Sequence, residues 1–281
     1  MEKINNALIK DYTTYKLDGY IKEIIFPKNY DELKVVIKDL KNKYKIIGNG
    51  SNLILSESYN HPLINLKYFD KLEFNNNIVT VGAGYNLPKF ALECAKKGLS
   101  GLEFASGIPG TIGGAIYMNA GAYGKEISNI LKRVTILDEK NNLKVLNQED
   151  LKLSYRDSIF KHKNYICLEA EFELIPGNKE EIIKEIKKII ETRKEKQPLE
   201  YPSAGSVFKN GENYSAGRLI EKAGLKGTKV GDAEVSLKHA NFIINKGKAK
   251  ADDVIELIEI VKEKIKKEEN IDLILEQEIL R

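Results

Sequence analysis

Gly101 to Gly124 reads GLEFASGIPGTIGGAIYMNAGAYG and holds seven of the chain's 21 glycines, set among residues that are mostly small or apolar. Glycine lacks Cβ, adopts φ > 0 without strain and lets a ligand come within hydrogen-bonding distance of main-chain N–H groups. So dense a run is entropically unfavourable to fold, and it points to a backbone shaped to touch a phosphate-bearing cofactor. Two smaller clusters stand upstream, Gly48-Asn49-Gly50-Ser51-Asn52 and Gly82-Ala83-Gly84. A turn between strands accounts for a single GxG, whereas three clusters ask for more than turns.

The familiar phosphate motifs do not fit these glycines. A dinucleotide fingerprint needs GxGxxG, but Leu53 and Leu87 stand where the third glycine belongs after Gly48-Asn49-Gly50 and Gly82-Ala83-Gly84. A P-loop needs Lys-Ser/Thr after its second glycine, and Gly113-Gly114-Ala115-Ile116 has no lysine.

Composition narrows the class. With 281 residues, 42% of them hydrophobic, the chain can bury a core and divides into more than one domain. No run approaches the roughly 18 apolar residues of a membrane span, and Met1 to Lys10 lacks the apolar core of a signal peptide, so a cytoplasmic protein without a membrane partner is expected. Cys94 and Cys167 fall in a predicted helix and strand and match neither a zinc spacing nor a disulfide framework. His61, His162 and His239 are too scattered for a metal cluster, so no metal is expected. The net charge of +4 comes from lysines interleaved with glutamates, as in KEEIIKEIKKIIETRKEK, a solvated helix face rather than a nucleic-acid surface.

Elements alternate along the chain. Tyr20 to Phe26 reads as a strand, Tyr30 to Lys43 as a helix with Asn29 or Asp31 as cap, and Lys45 to Ile47 as a second strand, a βαβ-like opening. Strands follow at Ile78 to Val81, Val134 to Leu137 and Tyr165 to Leu174, the last closed by a Pro176-Gly177 turn, and a helix runs from Pro88 to Lys97. A long helix then buries Ile182, Ile183, Ile186, Ile189 and Ile190 and ends at Pro198. Beyond it come helices from Ala216 to Ala223 and from Asp252 to about Lys267, and strands from Asn241 to Asn245 and from Leu273 to Leu280.

IIGNGSNLIL (Ile46 to Leu55), VGAG (Val81 to Gly84), the 101–124 block, Ser154-Tyr155-Arg156, PSAGSVFKN (Pro202 to Asn210), the segment Ala223 to Asn245 and LEQE (Leu275 to Glu278) resemble, in order, the UDP-N-acetylenolpyruvoylglucosamine reductases, also called UDP-N-acetylmuramate dehydrogenases. The resemblance covers nearly the whole chain. It implies an α+β protein with a two-part FAD-binding region of vanillyl-alcohol oxidase type and a C-terminal α+β substrate domain. The expected divisions are two FAD-binding subdomains, 1–70 and 71–200, a substrate domain, 201–270, and a C-terminal strand, 271–281, returning to the FAD-binding body. It also implies noncovalent FAD, since no histidine lies in the loops, NADPH as reductant, and a UDP-sugar as small-molecule substrate. The cofactor would be met by Gly48, Asn49, Gly50, Ser51, Asn52, Gly82, Gly84, Ser106, Gly107, Ile108, Pro109, Gly110, Thr111, Gly113 and Gly114.

Three further residues carry the family's chemistry. Arg156 matches the catalytic arginine, whose planar guanidinium suits a carboxylate that gains charge; taken alone it would read as a surface arginine pairing with Asp157. Ser206 matches the proton donor, and as a weak acid it depends on geometry. Glu278 matches the catalytic glutamate, although in an alternating strand Glu276 would share its face, and as an acid it would need a raised pKa. Lys209 and Asn210 are candidate contacts to substrate, and Gly211 stands where members often have proline. His239 reads as structural. The short link from Arg156 to Ser206 leaves little room for an inserted tyrosine loop, which suggests the compact subclass. A flavin oxidase of the same fold and a binding module without redox chemistry are the rival expectations.

Overall fold

The structure, a computed structural model, describes residues 1–41 and 43–281. Position 42, inside the first predicted helix, lies outside the described residues. The first strands are β1 (Glu2–Leu8), β2 (Tyr20–Phe26), β3 (Lys45–Ile47), β4 (Leu53–Leu55), β5 (Leu63–Asn65), β6 (Leu72–Asn75) and β7 (Ile78–Gly82). The helices are α1 (Tyr30–Leu40), α2 (Leu87–Lys96), α3 (Ile112–Tyr117), α4 (Lys179–Lys196), α5 (Ala216–Lys222) and α6 (Ala251–Glu269).

The chain forms two compact units. One holds Met1–Lys3, Ile24–Asn49 and Pro62–Thr192; the other holds Ile4–Glu23, Gly50–His61 and Arg193–Arg281. The divisions expected at 70, 200 and 270 run along the chain, whereas these units interleave along it.

The first unit is built on a five-stranded antiparallel sheet, ordered Leu143–Asn147, Leu131–Leu137, Ile166–Glu173, β7, β6. Leu168, Ala170 and Phe172 are buried while Glu169, Glu171 and Glu173 are not, the two-residue period of a strand with one face on the core. Phe172 meets Phe90 of α2 with ring centroids 5.3 Å apart; truncating such a ring to alanine costs about 3–5 kcal/mol. Both cysteines are buried thiols, and burial pushes that of Cys167 up to about 12.

The predicted βαβ opening has a strand inserted. β5 lies between β2 and β3, parallel to both, with Leu63 opposite Ile24 on one side and Lys45 on the other. Asn29, not Asp31, caps α1, its side chain accepting from Glu32 N–H at 3.0 Å. The helix stops at Leu40 because Lys41 turns left-handed, at φ 49°. Pro176, expected to form a turn with Gly177, instead pairs antiparallel with Leu99, as Ile175 does with Ser100. In α4, Ile182, Ile186 and Ile189 are buried, and Ile183 and Ile190 are only partly so.

In the second unit Lys229–Val230, Ala233–Val235 and Ile243–Asn245 make an antiparallel sheet. Helix α6 buries Val254, Ile258, Val261 and Ile265 at helical spacing. The final strand is Glu278–Leu280, parallel to β4 with Glu278 opposite Leu53. It is shorter than the predicted Leu273 to Leu280, for a reason that lies in the candidate site. Among the described residues no helix is long and apolar enough to cross a membrane.

Candidate active site

The glycine loops of the first unit come together. A Cβ at residue 48 would lie 2.5 Å from Thr111 Oγ1, and one at residue 113 would lie 3.2 Å from the Ala83 side chain. Gly113 N–H also donates to Ala83 O at 2.8 Å. Segments around residues 48, 83 and 111–114 therefore share one place.

These glycines divide into two kinds. At residues 82 and 84 a Cβ would strike backbone, Phe69 O at 2.1 Å and Leu66 O at 1.9 Å. Their N–H groups donate inward, to Lys71 O and Phe69 O, and Gly114 N–H goes to Thr111 Oγ1. The N–H groups of Gly82, Gly84, Gly113 and Gly114 are thus spent within the protein, and what these residues provide is close packing. Ser106 Oγ is engaged as well, donating to Glu103 O at 2.7 Å. By contrast, no hydrogen bond among the described residues engages the N–H groups of Gly48, Asn49, Gly107, Gly110 and Thr111. Gly110 and Thr111 are buried residues, where an N–H without a partner is destabilising, so this donor set suits an acceptor from outside the chain. Glu103, buried within the same block, accepts Gly101 N–H on both carboxylate oxygens at 3.0 and 3.1 Å. Its carboxylate is a support that the glycine pattern gave no sign of.

Arg156 belongs to this unit and sits on a tight turn. Ser154 and Asp157 exchange backbone hydrogen bonds, and Arg156 between them holds φ 56°, the left-handed region that a non-glycine residue seldom adopts. Three bonds sew the turn to the end of the glycine block: Asn119 Nδ2 to Ser154 O at 3.0 Å, Ser158 Oγ to Tyr117 O at 2.7 Å, and Arg156 Nη2 to Gly121 O at 2.9 Å. Lys161 Nζ donates to Arg156 O at 2.8 Å, and the guanidinium lies 5.2 Å from the centre of the Tyr155 ring. Asp157 is hydrogen-bonded to His162 Nε2 at 2.9 Å. Asn119 and Ser158 are not legible in the sequence, because a buried asparagine and serine carry no local pattern.

In the second unit the structure brings Ser206 and the segment of Glu278 side by side. Glu276 N–H donates to Val207 O at 2.8 Å, and Lys209 N–H to Ile274 O at 2.8 Å. Leu275 thus forms a single antiparallel bridge with Phe208 of the Ser206 loop, and the continuous strand begins only at Glu278, which corrects the longer predicted strand. Glu278 N–H goes to Asn52 O at 2.9 Å, and Asn52 Nδ2 donates to Glu276 O at 3.0 Å. Gly50, at φ 59°, could not carry a Cβ, which would fall 2.6 Å from Tyr12 O. Burial, then the nearby charge of Glu278, raises the pKa of Tyr59. Asn210 Oδ1 accepts Ala216 N–H at 3.0 Å and so secures the start of α5. A Cβ at Gly211 would run 2.2 Å from the Tyr214 ring, which explains glycine at the loop's exit. His239 packs edge-on against Phe242 at 4.7 Å and accepts Asn241 N–H on Nδ1, and burial lowers its pKa. Among the described residues no group of His, Cys, Asp or Glu could hold a metal ion.

Over 280 residues the chain is 44% identical to the UDP-N-acetylenolpyruvoylglucosamine reductase of Clostridium novyi (strain NT), covering 98% of this chain and 91% of that one. The chain belongs to the UDP-N-acetylenolpyruvoylglucosamine reductase family. A second relative of that name, from Carboxydothermus hydrogenoformans, is 44% identical over 282 residues, 99% of this chain and 93% of its own. The crystal structure of UDP-N-acetylenolpyruvylglucosamine reductase from Thermus caldophilus superposes with a TM-score of 0.86 at 38% identity, covering 100% of this chain and 98% of that one. The family model described as the C-terminal domain of this reductase matches residues 197–280, and the one described as an FAD binding domain matches residues 21–147. The α+β class and the FAD-binding region expected from the sequence therefore hold. The unengaged N–H groups at Gly48, Asn49, Gly107, Gly110 and Thr111 all fall within the FAD-binding match and fit an anionic diphosphate.

Proposed function

We propose that this chain reduces UDP-N-acetylglucosamine enolpyruvate to UDP-N-acetylmuramate with electrons from NADPH, through FAD held without a covalent bond. The observation that carries the reading is near full-length identity of 44% to an enzyme named for that substrate, joined to a cradle of main-chain donors that suits the cofactor. One NADPH and one proton enter per enolpyruvyl ether, and NADP⁺ and a lactyl ether leave. Bound FAD supplies two-electron transfer, as hydride, from the nicotinamide to the substrate. Gly48, Asn49, Gly107, Gly110 and Thr111 would hold its diphosphate through their N–H groups, leaving the neighbouring glycines to close the loops.

When hydride adds to the terminal carbon of the enolpyruvyl group, the π bond breaks and its electron pair moves onto the carbon beside the carboxylate. Arg156 meets that growing charge with a guanidinium whose backbone is already fixed, so no reorganisation is needed as charge develops. Ser206 gives its hydroxyl proton to the carbon, forming the second C–H bond, and regains a proton from solvent. Glu278, in its carboxylic-acid form, donates a hydrogen bond to the enolate, and Lys209 contacts the substrate's carboxylate or diphosphate. Asn210 contacts the nucleotide part of the substrate.

The test is to supply purified protein with FAD, NADPH and the enolpyruvyl substrate and follow the absorbance of reduced nicotinamide. Substrate-dependent loss of that absorbance is expected; oxygen uptake without need of NADPH would instead make the protein an oxidase. Ser206→Ala is expected to leave flavin reduction by NADPH intact and to slow reoxidation by substrate about 10²- to 10⁴-fold. Equal slowing of both half-reactions would remove Ser206 from the proton-donor role.

A further inference from the structure

Two buried carboxamides grip the backbone on either side of Ser206. Gln277 is 3% exposed, and its Nε2 donates to Ala204 O at 3.1 Å and to Gly205 O at 3.2 Å. Asn241 is 4% exposed and commits its whole amide to Phe208, with Oδ1 accepting Phe208 N–H at 2.9 Å and Nδ2 donating to Phe208 O at 2.8 Å. The Asn241 carbonyl also accepts Val207 N–H at 2.9 Å. The clamps matter because Gly205, at φ +74°, turns the chain immediately before the serine, and glycine alone would leave that turn loose.

We infer that Gln277 and Asn241 are positioning residues for the Ser206 hydroxyl, fixing the peptides before and after it so that a weak acid is held at the carbon it protonates. The inference rests on the reading of Ser206 as proton donor. Gln277 sets the serine from the position next to Glu278, so one short segment fixes both the proton source and the carboxylate. Gln277 Oε1 and the hydroxyl of the wholly buried Tyr15 have no hydrogen-bond partner among the described residues. The donor bonds to the two backbone carbonyls are therefore what orient this carboxamide. A hydroxyl is acidic enough to act here only when it is well placed, and a displacement of about 1 Å from the reacting atom can slow a step about 10²-fold.

Gln277→Met keeps the length of the side chain and removes both donors. In rapid mixing, flavin reduction by NADPH is expected at the parent rate, while reoxidation by the enolpyruvyl substrate slows about 10- to 100-fold. In a Ser206→Ala background the same change is expected to slow reoxidation by less than about twofold, because the group that it positions is gone. Asn241→Asp keeps the acceptor for Phe208 N–H and removes the donor, and it runs the same cycle if Gln277→Met does not fold. Additive effects in the double variant, equal slowing of both half-reactions or no slowing at all would each overturn the inference. Unchanged reoxidation in Ser206→Ala alone would instead overturn the proton-donor reading, and the inference with it.

Discussion

Gly48 and Gly84 lack the same atom for different reasons. At residue 84 a Cβ would lie 1.9 Å from Leu66 O, a backbone atom that cannot swing aside as a side chain can, whereas at residue 48 it would meet Thr111 Oγ1 at 2.5 Å. Gly84→Ala is therefore expected to lower the free energy of unfolding by about 3 kcal/mol or more, read from urea titration. Gly48→Ala displaces a side chain at the edge of the donor set, so the expected effect is weaker FAD binding in a flavin fluorescence titration, with a stability loss nearer about 1 kcal/mol. The reverse ranking, with Gly48→Ala the more unfolded and Gly84→Ala the poorer at holding FAD, would show that the two kinds have been exchanged. That glycines cluster is legible in the sequence because composition is local. Which of them offer an N–H is not, because the carbonyls that absorb Gly82 and Gly84 belong to Lys71 and Phe69, and only the pairing of β6 with β7 brings these close. Arg156 was legible through its motif, but its left-handed backbone and its tie to Gly121 were not, since neither leaves a mark in Ser-Tyr-Arg.

Elements with strong periodicity follow the sequence closely, as in β2, α5 and the strand ending at Glu173, because burial of one face decides them. Elements shaped by partners do not. Leu273 to Leu280 alternates like a strand, yet its first part serves the Ser206 loop, and no pattern within eight residues can announce a partner 70 positions away. The hairpin between Leu131–Leu137 and Leu143–Asn147 depends in the same way on one side chain in its turn. Asp138 Oδ2 pairs with Lys144 at 2.7 Å, and Oδ1 accepts N–H from Lys140 and Asn142 at 2.9 and 2.8 Å. The Lys144 ammonium first, then those backbone donors, hold the carboxyl down to about 2, against an ordinary 3.8. A depressed carboxyl stabilises the fold above its unfolded pKa, and that contribution fades as pH falls through the folded value. Wild-type protein is thus expected to lose stability between pH 3.8 and pH 2 through this hairpin. Asp138→Asn should start less stable at neutral pH and show a shallower fall in urea midpoint over that window. Parallel pH curves for the two proteins would remove Asp138 from the acid response.

The interleaving of the two units bears on what can be cut from the chain. A division near residue 200 is attractive in the sequence because a long helix ends at a proline there, and the C-terminal family match begins at 197. The unit that includes this segment nevertheless draws on Ile4–Glu23 and Gly50–His61. Those stretches supply β4, the parallel partner of Glu278–Leu280, and Tyr15, which is fully buried. They also accept both hydrogens of Asn245 Nδ2, at Tyr15 O and Lys16 O at 3.1 and 2.9 Å, while Asp18 N–H donates to Ala249 O at 3.0 Å. A fragment of residues 201–281 would leave the buried Asn245 amide without acceptors and the final strand without its partner, at a penalty comparable to the whole stability of a small domain. Expressed alone, that fragment is expected to lack near-ultraviolet circular dichroism and to bind an apolar dye. Appending residues 1–23 and 50–61 through flexible linkers should restore a cooperative urea transition, because the missing surfaces return whatever the chain order. A cooperative transition in the bare fragment would mean that the C-terminal segment folds on its own core and that the N-terminal contacts are accessory.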